Sequence, residues 1–575
     1  MPVIRRLYLY AIAFVALGMF LMGSVQLLQM LLETLVETMG GGPTALGESL
    51  IRQRLSFSIA LALIGLAGWT IHWWLACRAL SGPAGAAERR SVIRRLYLYA
   101  VLLTGGMIGL GAASGLAHDL LRFVFGESTR AAIIAGALVD PSALLLITAV
   151  LWTYHARIAE ADRAAQPEVG GSATLRRWFI YCLSFVSLMV LVPALVSLLQ
   201  VLWSMATGHL PGAPTPVADT GLFTAQIASS AAGALAALVV WLAAWQWSRG
   251  WLATSGLDSE TMSVLRKVYH YLVLAVAVSF TTWSAGNVLY QLLRVVLVPE
   301  RAALGWTEAS RGLGPAIATV LVFWVVWVYH ARSLRQETVL ATEAPRQALI
   351  RRFYGYLVAL IGVAAVGIGI AGTIATVLDL AIQPLASRPT AWWQDHIAVF
   401  ATLAAVGLPI WLAFWLPIQQ EARALPAQRS VVRRIYLFLV FGATVLTMLV
   451  SGVFALYQLV RLALGEGWTA GQTTDTLSAV SALLVAGLLL VYHLRLLSAG
   501  GGAADAQPEV YRLRIVARSA NAAQLEAYGR DVLAHVPSGV ELQIDRVLSD
   551  RDDGKPVSEQ APELRMEDAR PTRVA

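Results

Sequence analysis

The sequence predicts an all-α polytopic membrane protein with about twelve transmembrane helices, arranged as six two-helix repeats. Only 14% of its 575 residues are charged, whereas a soluble protein carries about 25% charged residues. Apolar runs long enough to cross a bilayer core of about 30 Å recur between residues 7 and 497. The arginines behind the net charge of +8 cluster beside these runs, which indicates membrane topology rather than a nucleic-acid surface.

One basic-aromatic phrase marks the start of each repeat. It reads "VIRRLYLYA" at 3–11 and returns unchanged at 92–100. Weaker copies are "LRRWFIY" from 175, "LRKVYHY" from 265, "IRRFYGY" from 350 and "VRRIYLF" from 432. Each copy opens one apolar run, and a polar loop and a second apolar run follow it. Six such repeats predict twelve helices.

The second helices of the repeats end in two different ways. Even repeats end in "WTYHAR" (152–157), "WVYHAR" (327–332) and "LVYHLR" (490–495). Odd repeats end in the tryptophan-rich segments "WTIHWW" (69–74), "WLAAWQW" (241–247) and "WLAFWLP" (411–417). The larger unit therefore has four helices and occurs three times, over 1–160, 170–340 and 345–498. An even helix count gives the units one orientation, so an axis along the membrane normal can relate them.

The distribution of lysine and arginine predicts the orientation. Within residues 1–497, 24 of them lie in the termini and the loops that hold the basic phrases, and 9 lie in the alternate loops. The positive-inside rule places the basic phrases and both termini in the cytoplasm.

The basic phrase is interpreted as an anchor at the inner membrane interface. An arginine beside anionic lipid gains about 1 kcal/mol, and tyrosine favours headgroup depth with its hydroxyl toward water. A lipid-headgroup site made from these arginines is the alternative. The predicted anchors are Arg5, Arg6, Tyr8, Tyr10, Arg94, Arg95, Tyr97, Tyr99, Arg351, Arg352, Tyr354, Arg433, Arg434 and Tyr436.

Acidic and basic residues alternate near the other end of the first helices. Counted at 1.5 Å per residue, they lie past a core of about 30 Å and so at the outer interface. We hypothesise that Glu33 faces Arg122 and that Asp379 faces Arg461, which would clamp the first helices of neighbouring repeats. Arg294 would lack such an acid, because Ser204 occupies that position in its neighbour.

Tyr-His pairs close the even repeats. They are Tyr154 with His155, Tyr329 with His330, and Tyr492 with His493. Three equivalent histidines could ligate one metal, and a histidine could also sense pH or relay protons. Each pair lies beside the interfacial aromatic residues, where a solvated histidine costs little. The structural interpretation is favoured, and no metal or cofactor is predicted.

The R-R-x-Y-x-Y helix starts and W-x-Y-H-x-R helix ends together resemble a bacterial integral-membrane family, domain of unknown function 5671. The strongest matches are "RQRLSFSIALALIGLAGWTIHWW" (52–74), "RRSVIRRLYLY" (89–99) and "LWTYHAR" (151–157). The chain departs from the pattern at Phe179 and Phe438, which replace tyrosines. The resemblance covers residues 1–498. It implies tandem four-helix units in the bacterial cytoplasmic (inner) membrane and no known activity.

The sequence carries no familiar catalytic signature. It lacks H-E-x-x-H, C-x-x-C, G-x-S-x-G and a Walker lysine, and its G-x-G-x-x-G at 367–372 lies within an apolar run, which favours helix packing. We therefore expect a non-enzymatic repeat scaffold or interaction protein, with membrane lipids and a protein at the cytoplasmic face as partners. The alternative is a transporter or binding protein for a neutral or lipid-like solute. Its path would run between the three four-helix units, with Gln26, Asn287 and Thr373 along it. A third possibility is an enzyme that acts on lipid, and only the Tyr-His pairs and Cys77 support it.

The C-terminal segment differs from the repeats. A small-residue linker at 499–508 precedes "VYRLRIVAR" and "VELQIDRVL", which alternate like strands and flank a helical pattern at 521–536. The pattern predicts a small cytoplasmic β-α-β element over 509–548 and a disordered tail over 549–575.

Overall fold

A computed structural model describes residues 3–38, 48–82, 85–126, 139–208, 220–254, 263–298, 305–340, 345–382, 392–421, 430–465 and 469–501. Within these ranges, twelve helices are long and apolar enough to cross a membrane, and no strand occurs. The twelve-helix prediction is confirmed, and the chain is a multi-pass membrane protein. The β-α-β element and the tail predicted for residues 509–575 lie outside the described residues.

The long helices form three consecutive groups of four, and each group is called a unit below. Helices α1 to α5 occupy Val3–Thr38, Glu48–Arg78, Gly85–Arg89, Val92–Val124 and Val139–Ala165. Helices α6 to α9 occupy Gly171–Gly208, Thr220–Thr254, Val264–Leu297 and Gly305–Leu340. Helices α10 to α13 occupy Pro345–Ile382, Trp392–Glu421, Val431–Ala463 and Ala470–Gly501. Helix α3 is a short loop helix. We call the end that holds the basic phrases the arginine end, and the opposite end the far end.

The third long helix of every unit begins after the same residue type. Ser91, Ser263 and Ser430 have extended backbones, with ψ of 124°, 120° and 127°. Serine favours this position before a helix, and a valine and the basic phrase follow it each time. This shared start places the first arginine of the phrase at the same point of the first turn in each unit.

Within each unit, the first helix packs against all the others. Helix α1 contacts α2, α4 and α5, helix α6 contacts α7, α8 and α9, and helix α10 contacts α11, α12 and α13. The third and fourth long helices also pair with each other. The repeated sequence therefore folds into a repeated four-helix arrangement.

The three units stand in a row. Helix α4 packs on α6 and α7, and helix α8 packs in the same way on α10 and α11. No pair of described helices from the first and third units makes a substantial contact. The molecule thus has two interfaces between units. A path surrounded by all three units, as the transporter alternative assumed, does not fit this row.

Small residues bring the first two helices of a unit into close contact. A Cβ atom at Gly23 would overlap the backbone of Ala62, and one at Gly65 would overlap the backbone of Phe20. In the third unit, Gly369 lies equally close to Ala404. The G-x-G-x-x-G segment at 367–372 therefore lies in helix α10, where it serves helix packing.

Candidate functional site

A set of six aromatic and histidine side chains recurs at the arginine end of each unit. Its first helix contributes one tyrosine, the second two tryptophans, the third one tyrosine and the fourth a Tyr-His pair. We call this set the Trp-Tyr-His cluster. The members are Tyr10, Trp69, Trp73, Tyr97, Tyr154 and His155 in the first unit, Tyr181, Trp241, Trp245, Tyr269, Tyr329 and His330 in the second, and Tyr356, Trp411, Trp415, Tyr436, Tyr492 and His493 in the third.

In the first unit, His155 is fully buried at the centre of the cluster. Its Nδ1 lies 2.8 Å from the Leu151 carbonyl oxygen, and its Nε2 lies 3.1 Å from the Tyr97 hydroxyl. Because a carbonyl only accepts, Nδ1 carries the proton and Nε2 accepts from the tyrosine. Trp69 Nε1 donates to the same hydroxyl at 3.1 Å, and Trp73 Nε1 donates to another cluster hydroxyl.

The other two histidines repeat this geometry. Nε2 of His330 lies 3.3 Å from the Tyr269 hydroxyl, and Nε2 of His493 lies 3.4 Å from that of Tyr436. Each Nδ1 contacts the carbonyl four residues earlier, at 2.9 and 2.8 Å. The prediction that these histidines are solvated at the interface is therefore wrong. They are 0, 1 and 2% exposed, because the fourth helix turns this face toward the first and third helices of its unit.

Each histidine uses both ring nitrogens within its own unit. The three therefore do not converge on a shared point, as a single metal site would require. Among the described residues, no group of three or more histidine, cysteine or acidic side chains could hold a metal ion. The cluster can hold helices in register through a chain of neutral hydrogen bonds.

Buried ion pairs lie next to the cluster. In the first unit, Arg94 Nε is 2.6 Å from Asp162 Oδ2, and the guanidinium lies 5.2 Å from the Trp73 ring centre. Glu88 of helix α3 accepts from Arg6 at 2.8 Å and from the Tyr10 hydroxyl at 3.0 Å. Since a buried charge is tolerated only with a partner, these pairs fix how α1, α3, α4 and α5 meet.

The second unit builds the same pair from different residues. Arg266 and Lys267 both bind Glu337, at 2.6 and 3.1 Å, and all three side chains are buried. Sequence reasoning missed both Asp162 and Glu337. A signal was present, because each acid follows the cluster histidine by seven residues, which is two helical turns and hence the same helix face.

The third unit lacks this acid. Gly500 occupies the position seven residues after His493. Arg433 is buried and donates to the Leu496 carbonyl at 3.1 Å, while its Nε has no hydrogen-bond partner among the described residues. The three clusters are therefore alike in their aromatic part and unlike in their ion pairs.

A further acid joins the first two units. Glu168 lies in the loop between α5 and α6 and pairs with Arg95 at 3.1 Å and Arg176 at 3.4 Å. The Tyr99 hydroxyl donates to it at 2.6 Å. Glu168 was not predicted either, because its partners belong to different repeats.

The anchor interpretation needs correction for part of its residues. Arg5, Tyr8 and Arg434 are exposed, and Arg6, Arg351 and Arg352 are half-buried. The remaining predicted anchors are buried between helices, and they are Tyr10, Arg94, Arg95, Tyr97, Tyr99, Tyr354, Arg433 and Tyr436. Their side chains pack against other residues of the protein.

At the far end, the predicted clamp finds different partners. Glu33 pairs with Arg54 of helix α2 at 3.1 Å, so its ion pair lies within its own hairpin. Asp379 accepts from the Thr474 hydroxyl at 3.2 Å. Arg294 does have an acid, since its Nε lies 2.7 Å from Asp395 of the following unit. The alternation of acidic and basic residues along the chain therefore did not identify the partners of Glu33 and Arg294. Their partners lie in the second helix of the same hairpin and in the following unit.

The comparisons with known proteins agree with the repeat. The family described as Domain of unknown function (DUF5671) matches the chain three times, at residues 6–141, 177–311 and 352–489. Each match falls within one four-helix unit, and together they cover more than half of the chain, which therefore belongs to this family. No curated protein and no solved structure matches it.

Proposed function

We propose that this protein is a non-enzymatic scaffold of the bacterial cytoplasmic membrane, with both termini and its arginine end in the cytoplasm. The observation that carries this proposal is the Trp-Tyr-His cluster, present three times with its ion pairs. Its polar groups bond one another inside the protein, which suits a part that holds helices together. A scaffold of this kind acts by binding partners at its surface.

The arginine end supplies a surface suited to acidic partners. Among the described residues of this end, the exposed arginines are Arg5, Arg78, Arg90, Arg157, Arg249, Arg332, Arg335, Arg434 and Arg495. Among the described residues of the far end, Arg52 alone is an exposed arginine. This asymmetry supports anionic membrane lipid and an acidic protein segment in the cytoplasm as partners.

Two of the three residues expected to line a transport path, Gln26 and Thr373, make hydrogen bonds that hold helices together or stay within one helix. The Gln26 side chain accepts from the Ser58 hydroxyl at 2.7 Å, within the first hairpin. The Thr373 hydroxyl donates to the Gly369 carbonyl of its own helix at 2.8 Å. Both contacts favour the scaffold over the transporter.

Cysteine accessibility tests the proposal. Ser187 is fully buried and lies eleven residues after Arg176, about 16 Å along the helix and thus near the midplane. In a chain with Cys77 and Cys182 changed to serine, we expect Ser187→Cys to resist a membrane-impermeant maleimide. Ser81→Cys, in an exposed loop at the arginine end, is the labelled control.

Two outcomes would contradict the proposal. Labelling of Ser187→Cys at a rate similar to that of Ser81→Cys would show water at the midplane and favour transport. Labelling of Ser81→Cys in right-side-out vesicles, rather than in inverted ones, would reverse the orientation. Gln53→Cys, exposed at the far end, should show the opposite sidedness.

A further inference from the structure

We propose that a cleft between the second and third units binds a phospholipid with an anionic headgroup. The cleft has a volume of about 380 Å³ and is partly open. It lies at the arginine end between helices α8, α9, α10 and α11, and its lining combines aromatic rings with arginines. We call it the interunit cleft. This ligand goes beyond the scaffold function and does not depend on it.

The cleft exists because two large side chains of the first interface are missing from the second. Between the first two units, Trp247 stacks on Trp152 with ring centres 5.7 Å apart, and Ile180 is fully buried. Aligning the repeats on their tryptophans and arginines places Pro417 at the position of Trp247 and Gly355 at that of Ile180. Both replacements line the cleft.

Two buried polar groups in the cleft are poorly satisfied. Trp152 donates its indole N–H to the Leu102 carbonyl at 3.0 Å. The indole N–H of the equivalent Trp327 instead faces the hydroxyl of Tyr354, which is 8% exposed. The two groups form no hydrogen bond of normal geometry with each other or with another described residue. An unpaired buried donor is costly. A ligand oxygen that accepts from both groups removes this cost, and phosphate and ester oxygens are such acceptors.

The charge of the lining favours an anion. Arg351 and Arg352 share one carboxylate, that of Glu421, at 2.8 and 3.0 Å. Arg335 adds a third guanidinium, at a position where the first unit has Glu160. Arginine recognises phosphate through paired N–H donors. Three arginines against one lining carboxylate therefore suit a phosphodiester.

The apolar part of the lining suits an acyl chain. Leu274, Trp327 and Phe414 belong to a wall that is more apolar than polar. Ligand sites commonly span roughly 300–1,000 Å³, so the cleft is large enough for a headgroup and the start of its chains. Because the cleft is partly open, longer chains can extend beyond it. A free phosphate would leave this wall uncovered.

The test is lipid retention by the purified full-length chain, measured by native mass spectrometry. The probes are phosphatidylglycerol, phosphatidylcholine with the same acyl chains, and inorganic phosphate. We expect one retained phosphatidylglycerol per chain, preferred over phosphatidylcholine by about tenfold. Equal retention of the two lipids would overturn the proposal. Displacement of phosphatidylglycerol by millimolar inorganic phosphate would also overturn it, because the ligand would then be the free anion.

Variants locate the site. Arg335→Glu should weaken phosphatidylglycerol retention by about tenfold or more, and Tyr354→Phe by about fivefold. Arg332→Glu makes the same charge change on the same helix outside the cleft and is the matched control. Arg332 belongs to the exposed surface proposed above for acidic partners, so this variant should weaken lipid binding at that surface while the one lipid in the cleft is retained. If Arg332→Glu and Arg335→Glu lose retention equally, the lipid is held by general surface charge and the proposed site is wrong.

A filling variant provides a second check. Gly355→Ile with Pro417→Trp restores the residues of the first interface and should abolish retention. Retention by a folded filling variant would contradict the proposal, and if this variant fails to fold, the Tyr354→Phe result decides.

Discussion

The same nine residues occupy 3–11 and 92–100, yet the two copies have different environments. Tyr8 is 58% exposed, whereas Tyr97, at the same place in the phrase, is 3% exposed. Arg5 lies on the surface, whereas Arg94 is 1% exposed and paired with Asp162. The identical sequence thus lies partly on the surface in one copy and between helices in the other.

Position in the row explains the difference. Helix α1 makes its substantial contacts with helices of the first unit. Helix α4 packs in addition against α6 and α7 of the next unit. The last copy agrees. Among the described helices, α12 makes substantial contacts only with α10 and α13 of its own unit, and Phe438, which replaces Tyr99 of the phrase, is 60% exposed. A helix with neighbours on both sides buries the phrase, and a terminal helix leaves part of it outside.

The largest expected effect is at the first arginine. Arg94→Ala removes the closer of the two bases at the buried Asp162 and leaves only Arg89, at 3.3 Å, beside it, which should cost about 3 kcal/mol of unfolding free energy. Arg5→Ala, at the same place in the exposed copy, should leave stability unchanged. Thermal unfolding in detergent measures both. The double variant with Arg94→Met and Asp162→Leu should recover most of the lost unfolding free energy. An equal loss of stability in Arg5→Ala and Arg94→Ala would contradict the difference between the two copies.

A smaller effect is expected at the first tyrosine. The Tyr97 hydroxyl bonds both His155 and Trp69, so Tyr97→Phe should lower the unfolding free energy by about 1–3 kcal/mol. Tyr8→Phe removes an exposed hydroxyl whose one hydrogen bond, to His72, is long at 3.4 Å. Its effect on the unfolding free energy should therefore be smaller. Equal shifts of the unfolding temperature for the two variants would show that the buried Tyr97 hydroxyl stabilises the fold no more than the exposed Tyr8 hydroxyl does.

The smallest expected effect is at the arginine of the third cluster. Arg433→Met removes a buried guanidinium whose Nε is unsatisfied among the described residues, and no described acid of the third unit loses an ion pair by this change. We expect a change of about 1 kcal/mol or less, of either sign, because an apolar side chain of similar volume replaces a poorly satisfied charge well. A loss as large as that of Arg94→Ala would indicate a carboxylate partner from residues beyond the described ones.

These contrasts separate what a local pattern predicts from what it does not. Hydropathy and repetition predicted the helices, their grouping in fours and the recurrence of the Tyr-His pairs. They placed each residue by its depth along a helix. They did not place it around the helix axis, and for that reason Tyr97 and His155 were expected at a wet interface and Glu33 beside Arg122.

By itself, the sequence determined twelve membrane helices, three copies of one unit and a chemistry concentrated at the arginine end, because length, apolarity and repetition are properties of the chain alone. The tertiary structure decided which copy of a phrase is buried, which acids meet the arginines, and where a cleft opens. These depend on neighbours brought together from distant repeats, and the energy of a charge depends on whether such a neighbour replaces water.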